Sequence, residues 1–295
     1  KGAERMRTKK EKRNNSQVRE IWRKLKMNKV AMVSLVVIVL ILLVAIVGAW
    51  ITPYGYAEQN PDAVLQLPNA EHIFGTDNFG RDIFSRIIFG ARISLKIGFI
   101  SVIIAGAIGT IIGAFAGYFG KTFDRIVMRI MDIVLSIPSL VLAIAIAASL
   151  GNGMKNLIIA VSLSSVPRYA RIVRSTVMSL KEKEFIESAR VSGASHMRIL
   201  FVHILPNCIA PIIVEATIGV GTSILSAASL SFIGMGVLPP NPEWGSMLSE
   251  SRMYFRDYPY MSMFPGLAIA ITILLLNIVG DGLRDAMDPK LRRAK

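Results

Sequence analysis

The sequence contains a single cysteine, Cys208, and only three histidines, His72, His196 and His203, among its 295 residues. One cysteine cannot form a disulfide within the chain, and three scattered histidines lack the clustered spacing of a metal site. The pattern G-x-x-x-x-G-K-[S/T], whose loop holds nucleotide phosphates, is also absent from the sequence. A disulfide-stabilised fold, a metal site and nucleotide hydrolysis by this chain are therefore not indicated.

Acidic residues are also few, because 20 Asp and Glu stand against 34 Lys and Arg, which gives a formal net charge of +14. Hydrophobic residues make up 53% of the chain and the mean hydropathy is +0.51, values that disfavour a soluble enzyme. A basic balance can indicate nucleic-acid binding in a hydrophilic chain. In a chain this apolar it indicates a membrane protein with basic cytoplasmic loops.

Six apolar runs reach or approach the length of about 20 helical residues that crosses a bilayer. They cover residues 30–51, 97–120, 133–150, 156–173, 208–237 and 258–280. The first run is too long for the apolar part of a signal peptide, and no small-residue cleavage site follows it. The sequence therefore predicts an all-α membrane protein with six transmembrane helices, of which the fourth is weakened by arginines near its end.

Lys and Arg are distributed unevenly between the predicted loops. With the N-terminus inside, the inner segments hold 27 of them and the outer segments hold 7. Because short cytoplasmic loops retain Lys and Arg, this asymmetry predicts that both termini are cytoplasmic and that residues 53–91 and 238–257 face outwards.

The residues before the first span predict a surface helix. Val18, Ile21, Trp22 and Leu25 recur at helical spacing with basic residues between them, as in a helix that lies in the cytoplasmic membrane interface. Membrane lipid is the expected partner of such a polybasic segment beside a span, and nucleic acid is not.

A hydrophilic segment, residues 181–206, joins the fourth and fifth predicted spans. Good helix formers up to Arg190 predict a short helix, and Gly193 permits a turn with positive φ. Residues 194–204 predict a second short helix before Pro206 opens the fifth span. An ordinary solvated loop needs neither this glycine nor a second apolar stretch, so the segment is predicted to form a rigid helical knob.

The same segment resembles the EAA loop of the inner-membrane permeases of ATP-binding-cassette (ABC) importers. The pattern of that loop is E-A-A, three residues, G, nine residues, I, one residue and L-P. The positions that correspond to it here are Glu187, Ser188, Ala189, Gly193, Leu205 and Pro206. His203 stands where the general pattern has isoleucine, but the run from His203 to Asn207, H-I-L-P-N, is similar to the peptide and nickel subfamily.

Three further stretches resemble signatures of that subfamily, in the expected order. They are H-I-F-G-T-D with G-R-D within 72–92, P-P-N-P-E-W-G at 239–245, and G-D-G-L-R-D with D-P-K at 280–290. The resemblance extends over about residues 17–293 and is to the "C" type permease subunit of dipeptide and oligopeptide importers.

This resemblance implies the fold of a type I ABC importer permease in a bacterial or archaeal cell (inner) membrane. Residues 1–29 would be a basic cytoplasmic tail with the interfacial helix, and 30–295 the six-span permease domain. Within that domain, 181–206 would be the coupling loop and 281–295 a cytoplasmic tail. The chain would form half of the translocation path for di- or oligopeptides.

The resemblance also implies partners. They are a homologous permease subunit, two cytoplasmic ATPase subunits that contact the six EAA positions, and an extracytoplasmic substrate-binding protein. The chain itself would hold no catalytic residue, metal or cofactor, because ATP and Mg²⁺ would belong to the ATPases.

Polar residues in the fifth predicted span offer a candidate for the path. Glu215 lies inside the span without a basic partner on the same helix. It shares one helical face with Thr222, Ser226 and Ser229. This face is explained either by close helix packing, which small residues favour, or by a water-accessible pathway.

Two other sets of residues at membrane depth indicate packing. Asp124, Arg125, Arg129 and Asp132 are helical neighbours able to pair, which favours a structural clamp over a substrate site. Consecutive G-x-x-x-G spacings in the second predicted span, at Gly109, Gly113 and Gly117, predict close approach of another helix.

Alternatives remain at this stage. The acidic outer segment 52–92 would either touch the delivering protein or form a scaffold packed on the spans. The shared motifs are also compatible with an importer of nickel or another small solute. An ion-coupled secondary transporter predicts inverted repeats with paired broken helices, which are not evident, and a structural scaffold needs no coupling knob.

Overall fold

The computed structural model describes residues 19–287, and the predictions for 1–18 and 288–295 lie outside this range. The described chain is helical, apart from one isolated bridge between Thr76 and Asp82 and the irregular connections. The main helices are α1 (19–27), α2 (Lys29–Ile51), α3 (Ile83–Phe119), α4 (Lys121–Ser136), α5 (Ser139–Leu150), α6 (Met154–Lys181), α7 (Glu184–Val191), α8 (His196–Arg198), α9 (Leu205–Phe232), α10 (Trp244–Ser251) and α11 (Tyr260–Met287). A π-helical turn, Ile199–Ile204, joins α8 to α9 without a break.

Within residues 19–287, four helical stretches are long and apolar enough to cross a membrane, namely α2, α3, α11 and the continuous helix His196–Phe232. The bent pair of α4 and α5 becomes a fifth if it is counted as one span. Helix α6 has 28 residues but includes Arg168, Arg171 and Arg174, which lower its hydropathy. The all-α prediction is confirmed, whereas length and composition alone do not confirm the count of six.

The second span begins at Ile83, whereas the sequence predicted a start at Ile97. Asp82 caps the helix by accepting a hydrogen bond from the Ser85 backbone N–H at 2.7 Å. The charges that excluded this stretch from the prediction are accommodated by tertiary pairing. Arg86 is buried and its Nη2 lies 3.0 Å from Glu250 Oε2.

The prediction that 133–150 forms a single straight helix is wrong. The chain breaks at Ile137 and Pro138, and α4 meets α5 at 90°. Proline has no N–H to donate and disfavours the helical conformation of the preceding residue, and Ile137 is accordingly extended, with φ −88° and ψ 127°.

The fifth predicted span, 208–237, also shifts. Helix α9 starts at Leu205, directly after the π-helical turn, and ends at Phe232. Pro206 lies in the first turn of α9, as predicted, but the π-helical turn leads directly into this turn, so the missing proline N–H falls inside a continuous helix.

The glycine series of α3 is in close contact with α6, which confirms the packing prediction. A Cβ added to Gly109 would lie 2.7 Å from the carbonyl oxygen of Val166, and one added to Gly117 would lie 2.8 Å from that of Arg174. A Cβ at Gly113 would overlap the Ala170 carbonyl oxygen. Only glycine permits the two backbones to approach this closely.

The predicted N-terminal helix is present as α1, and its apolar face packs on the ends of α2 and α11. Leu25 is buried and Ile21 is partly buried in this cluster, while Trp22 is exposed. Gly282 of α11 leaves room for the contact, because a Cβ there would lie 3.3 Å from Leu25 Cδ1. Whether α1 also lies in the membrane interface stays a prediction.

Residues 52–82 and 233–259 form a cap at one end of the bundle, held by buried charges. Arg81 donates to Asp77 Oδ2 at 2.6 Å and to Glu250 Oε2 at 2.6 Å. Buried charges are stable only when they are paired and hydrogen-bonded. These contacts support the scaffold interpretation of the acidic segment, and a contact with a delivering protein stays a prediction.

Contacts between α9 and α11 fix the arrangement of the chain ends. Gly221 faces Ile273 and Gly280 faces Ile218, so the two helices are antiparallel. Helix α11 therefore ends where α9 begins, at the end of the bundle that carries residues 181–206. Both ends of the described chain lie at this end, opposite the cap, and its location in the cytoplasm stays a prediction.

Candidate functional site

The segment 181–206, called the coupling segment below, has the predicted order of helix, glycine turn and helix. Gly193 has φ +75°, and α7 ends in a pair of hydrogen bonds around it. The Gly193 N–H donates to the Arg190 carbonyl oxygen at 2.9 Å, and the Ala194 N–H donates to that of Ala189 at 3.0 Å. This pair of bonds defines a Schellman motif, in which the residue after the helix must adopt positive φ. The glycine thus closes α7 and turns the chain towards α8.

The base of the coupling segment is packed against the ends of α3 and α6. Ile186 of α7, Leu200 and Ile204 are buried together with side chains of both helices. The Tyr118 hydroxyl and His196 Nδ1 lie 2.9 Å apart. The segment is therefore a rigid extension of the bundle.

The six EAA positions divide into two groups. Glu187, Ser188, Gly193 and Pro206 are exposed. Ala189 and Leu205 are partly buried and pack into the base. The exposed group is available for a contact with another protein, and the other two residues shape the segment.

Sequence reasoning missed the apolar surface of the coupling segment. Val191 is 90% exposed, and Phe185, Met197 and Phe201 are also exposed. These exposed apolar side chains stand outside the buried base and are available for a contact with another protein. The spacing gave no signal for this difference, because Met197, Leu200, Phe201 and Ile204 recur at i, i+3, i+4 and i+7, which predicts one buried face, whereas only Leu200 and Ile204 are buried.

Three arginines of α6 each pair with an acid from another helix. Arg168 pairs with Glu215 of α9, and Arg171 Nη2 lies 2.6 Å from Asp132 Oδ1. Arg174 Nη2 lies 2.6 Å from Asp124 Oδ2. The prediction that Arg125 and Arg129 pair with acids of their own helix is wrong, because both α4 acids turn to α6. A structural clamp is present, but its ion pairs join α6 to α4 and α9 and do not lie within α4.

A polar cavity of about 80 Å³ lies between α6 and α9 and the bend that joins α4 to α5. It contains three of the four predicted path residues, Glu215, Thr222 and Ser226. Ser229 lies instead on an apolar groove of about 490 Å³, beside Leu225 and Phe232. The polar stripe of α9 is therefore divided between two environments.

Residues of α6 also line the cavity, and none of them was predicted. They are Ser164, Ser165, Arg168 and Tyr169. Glu215 Oε1 lies 3.4 Å from Arg168 Nη1. A count of charged residues in the predicted spans could have indicated this pair, because α6 carries three arginines at membrane depth and the neighbouring helices α4 and α9 together carry three acids.

Comparison with known proteins decides the family. The family model described as "Binding-protein-dependent transport system inner membrane component" matches residues 109–293. The chain belongs to this family. A second model, "N-terminal TM domain of oligopeptide transport permease C", matches residues 16–68 of the permease. The resemblance found in the sequence motifs is thereby confirmed.

Named relatives share about half of the permease's residues. The dipeptide transport system permease protein DppC of Alkalihalophilus pseudofirmus is 51% identical over 93% of this chain and 90% of its own length. The glutathione transport system permease protein GsiD of Escherichia coli O157:H7 is 48% identical over 92% of this chain and 90% of its own length.

A solved structure supports the fold. The inward-facing MetNI methionine ABC transporter contains a chain that aligns with a TM-score of 0.58 and 20% identity, over 70% of this chain and 98% of that one. The permease therefore has the type I ABC importer fold. Its family consists of multi-pass membrane subunits that work with ATPases and substrate-binding proteins.

Proposed function

We propose that the permease carries di- and oligopeptides, forms half of a translocation path with a homologous permease subunit, and is driven by cytoplasmic ATPases through its coupling segment. The observation that carries the substrate class is the pair of relatives at 51% and 48% identity, whose names specify a dipeptide and glutathione. Both cargoes are short peptides, and both relatives match more than nine tenths of this chain.

The shape of the coupling segment supports its proposed role. A part that transmits movement must keep its shape under load, and this segment is closed by a Schellman motif and rests on a buried base. Its exposed Phe185, Val191, Met197 and Phe201 offer an apolar surface for an ATPase, with Glu187 beside them.

The remaining partners follow from this role. A substrate-binding protein would deliver the peptide at the cap, and two ATPases would bind ATP and Mg²⁺ at the opposite end, in the cytoplasm. The permease itself would contribute half of the translocation path and the surface that contacts the ATPase, with no catalytic group, metal or cofactor of its own. The excess of Lys and Arg in segments at that end supports this orientation.

Reconstitution tests the proposal. The permease is purified from native membranes with the subunits that accompany it, and placed in vesicles with the binding protein and ATP. We expect one similar permease and two ATPases to be recovered, and labelled dipeptide to accumulate. Accumulation of nickel in place of dipeptide would assign the other substrate class, and dipeptide transport by this chain alone would contradict the assembly.

A further inference from the structure

We infer that the polar cavity binds the ammonium end of the transported substrate, with Glu215 as its charged anchor. The inference rests on the proposed function and specifies which chemical group of the substrate the permease recognises. It follows from four observations on the cavity wall, namely its hydrogen-bond acceptors, an unpartnered hydroxyl, a loose ion pair and its volume.

The wall presents hydrogen-bond acceptors. Ser164 and Ser165 both donate to the Val161 carbonyl oxygen, at 3.0 and 2.9 Å, and Thr222 donates to that of Gly219 at 3.0 Å. A hydroxyl group has one hydrogen, so these three groups have only lone pairs left for the cavity. Together with a carboxylate, they favour a ligand with several N–H donors.

A buried hydroxyl on the same wall lacks a partner. Tyr169 is 2% exposed, and its hydroxyl oxygen has no hydrogen-bond partner among residues 19–287. Buried polar groups are normally paired, and an unpaired one lowers stability. A ligand ammonium in the cavity would supply an N–H to this oxygen.

The ion pair between Glu215 and Arg168 is loose. Its distance of 3.4 Å exceeds the roughly 2.7–2.9 Å of a strong charge-assisted hydrogen bond. The Arg168 side chain is 56% exposed, whereas that of Glu215 is 13% exposed. The guanidinium is thus free to turn away, while an unpaired carboxylate at this depth would be costly. An incoming ammonium replaces Arg168, and Glu215 stays paired throughout the exchange.

The volume selects one end of a substrate. A cavity of about 80 Å³ holds roughly two to three waters at about 30 Å³ each, which suits an ammonium group and the carbon that bears it. The rest of a peptide must lie outside. Among the described residues, no group of three or more His, Cys, Asp or Glu side chains could hold a metal ion, so an organic ammonium fits better than nickel.

The test measures the attraction of a probe ammonium directly. The complete transporter is studied in membrane vesicles with Cys208→Ser and Ser226→Cys in the permease. Aminoethyl methanethiosulfonate carries an ammonium, and propyl methanethiosulfonate is a neutral reagent of similar shape. The rate at which each reagent modifies the introduced thiol is divided by the rate at which the same reagent reacts with a small thiol in solution. We expect the ammonium reagent to be favoured about tenfold or more, as a nearby carboxylate would cause.

Three variants give the test its controls. Glu215→Gln should abolish the preference, and Glu215→Asp should retain most of it. Asp132→Asn is the matched control, because it removes the carboxylate of another α6 pair outside the cavity, and it should change nothing. Equal rates for the two reagents, or a preference that survives Glu215→Gln, would overturn the inference.

Dipeptide uptake by the transporter with the unaltered permease separates the two proposals. Uptake without an ammonium preference contradicts the ammonium site and leaves the peptide substrate in place. An ammonium preference without uptake contradicts the peptide substrate and leaves a cation site in place.

Discussion

At the scale of single residues, the spacing of the EAA motif has a backbone cause. In the Schellman motif, the Ala189 carbonyl oxygen accepts the hydrogen bond that spans five residues, from the Ala194 N–H, and Gly193 occupies the positive-φ position. The glycine must therefore follow the alanine by four residues. A Cβ added to Gly193 meets no atom within 4 Å in the described chain, so within the permease a substitution there acts through φ and not through a clash. This makes the position a clean test of shape.

Gly193→Val should weaken ATPase binding and abolish uptake, because a β-branched residue at positive φ costs about 1–3 kcal/mol. Gly193→Asn is the matched control, since asparagine tolerates this conformation, and it should retain most activity. Quantitative pull-down of the ATPases and uptake in the same membranes measure both effects. Full uptake by Gly193→Val would refute the coupling role, and loss of the partner permease would indicate a role in folding.

At the scale of elements, features with a local signal were predictable and features that depend on distant partners were not. The Gly193 turn and the glycine series of α3 follow from spacing alone. The start of α3 was missed because Arg86 is satisfied by Glu250, far along the chain. The break before Pro138 had a local signal that the count of apolar residues ignored.

The candidate site divides in the same way. Glu215, Thr222 and Ser226 were predicted from one helical face, which places residues of a single helix reliably. Arg168 and Tyr169 were missed, because the packing of α6 against α9 is a tertiary fact.

The contact between α3 and α6 yields a stability prediction. Gly113→Ala should lower the thermal midpoint of the detergent-solubilised assembly, because its Cβ would overlap a backbone oxygen and force α6 away, at about 1–3 kcal/mol. Gly106→Ala, two helical turns earlier, would meet Tyr169 Cε1 at 3.7 Å, an ordinary contact, and should be neutral. Equal midpoints for the two variants would contradict the close packing.

At the scale of the whole molecule, the arrangement separates a cap from a coupling end. The cap is held by buried ion pairs, and the opposite end carries the coupling segment and both ends of the described chain. Between them, α6 pairs its three arginines with α4 and α9. The coupling segment follows α6 and continues through the π-helical turn into α9, so both helices that supply the polar side chains Arg168 and Glu215 of the cavity are connected to it.

Labelling tests the orientation of these two ends. In a Cys208→Ser background, Gln59→Cys in the cap should react with an impermeant thiol reagent added outside intact cells. Lys183→Cys in the coupling segment should react only after the cells are opened. Both positions are exposed, so accessibility within the protein is not limiting. The reverse pattern would place the coupling segment out of reach of any cytoplasmic ATPase.

The lone cysteine offers a way to time the opening of the base of the coupling segment. Cys208 is fully buried in that base, and its thiol donates to the Ile204 carbonyl oxygen at 3.5 Å. A thiol reagent can reach it only when the base parts, so in the unaltered protein the modification rate reports how often this happens. Because the coupling segment is a rigid extension of the bundle, we expect the rate to stay unchanged when ATP and peptide are added together, and a rate that rises with turnover would mean that the base opens during transport.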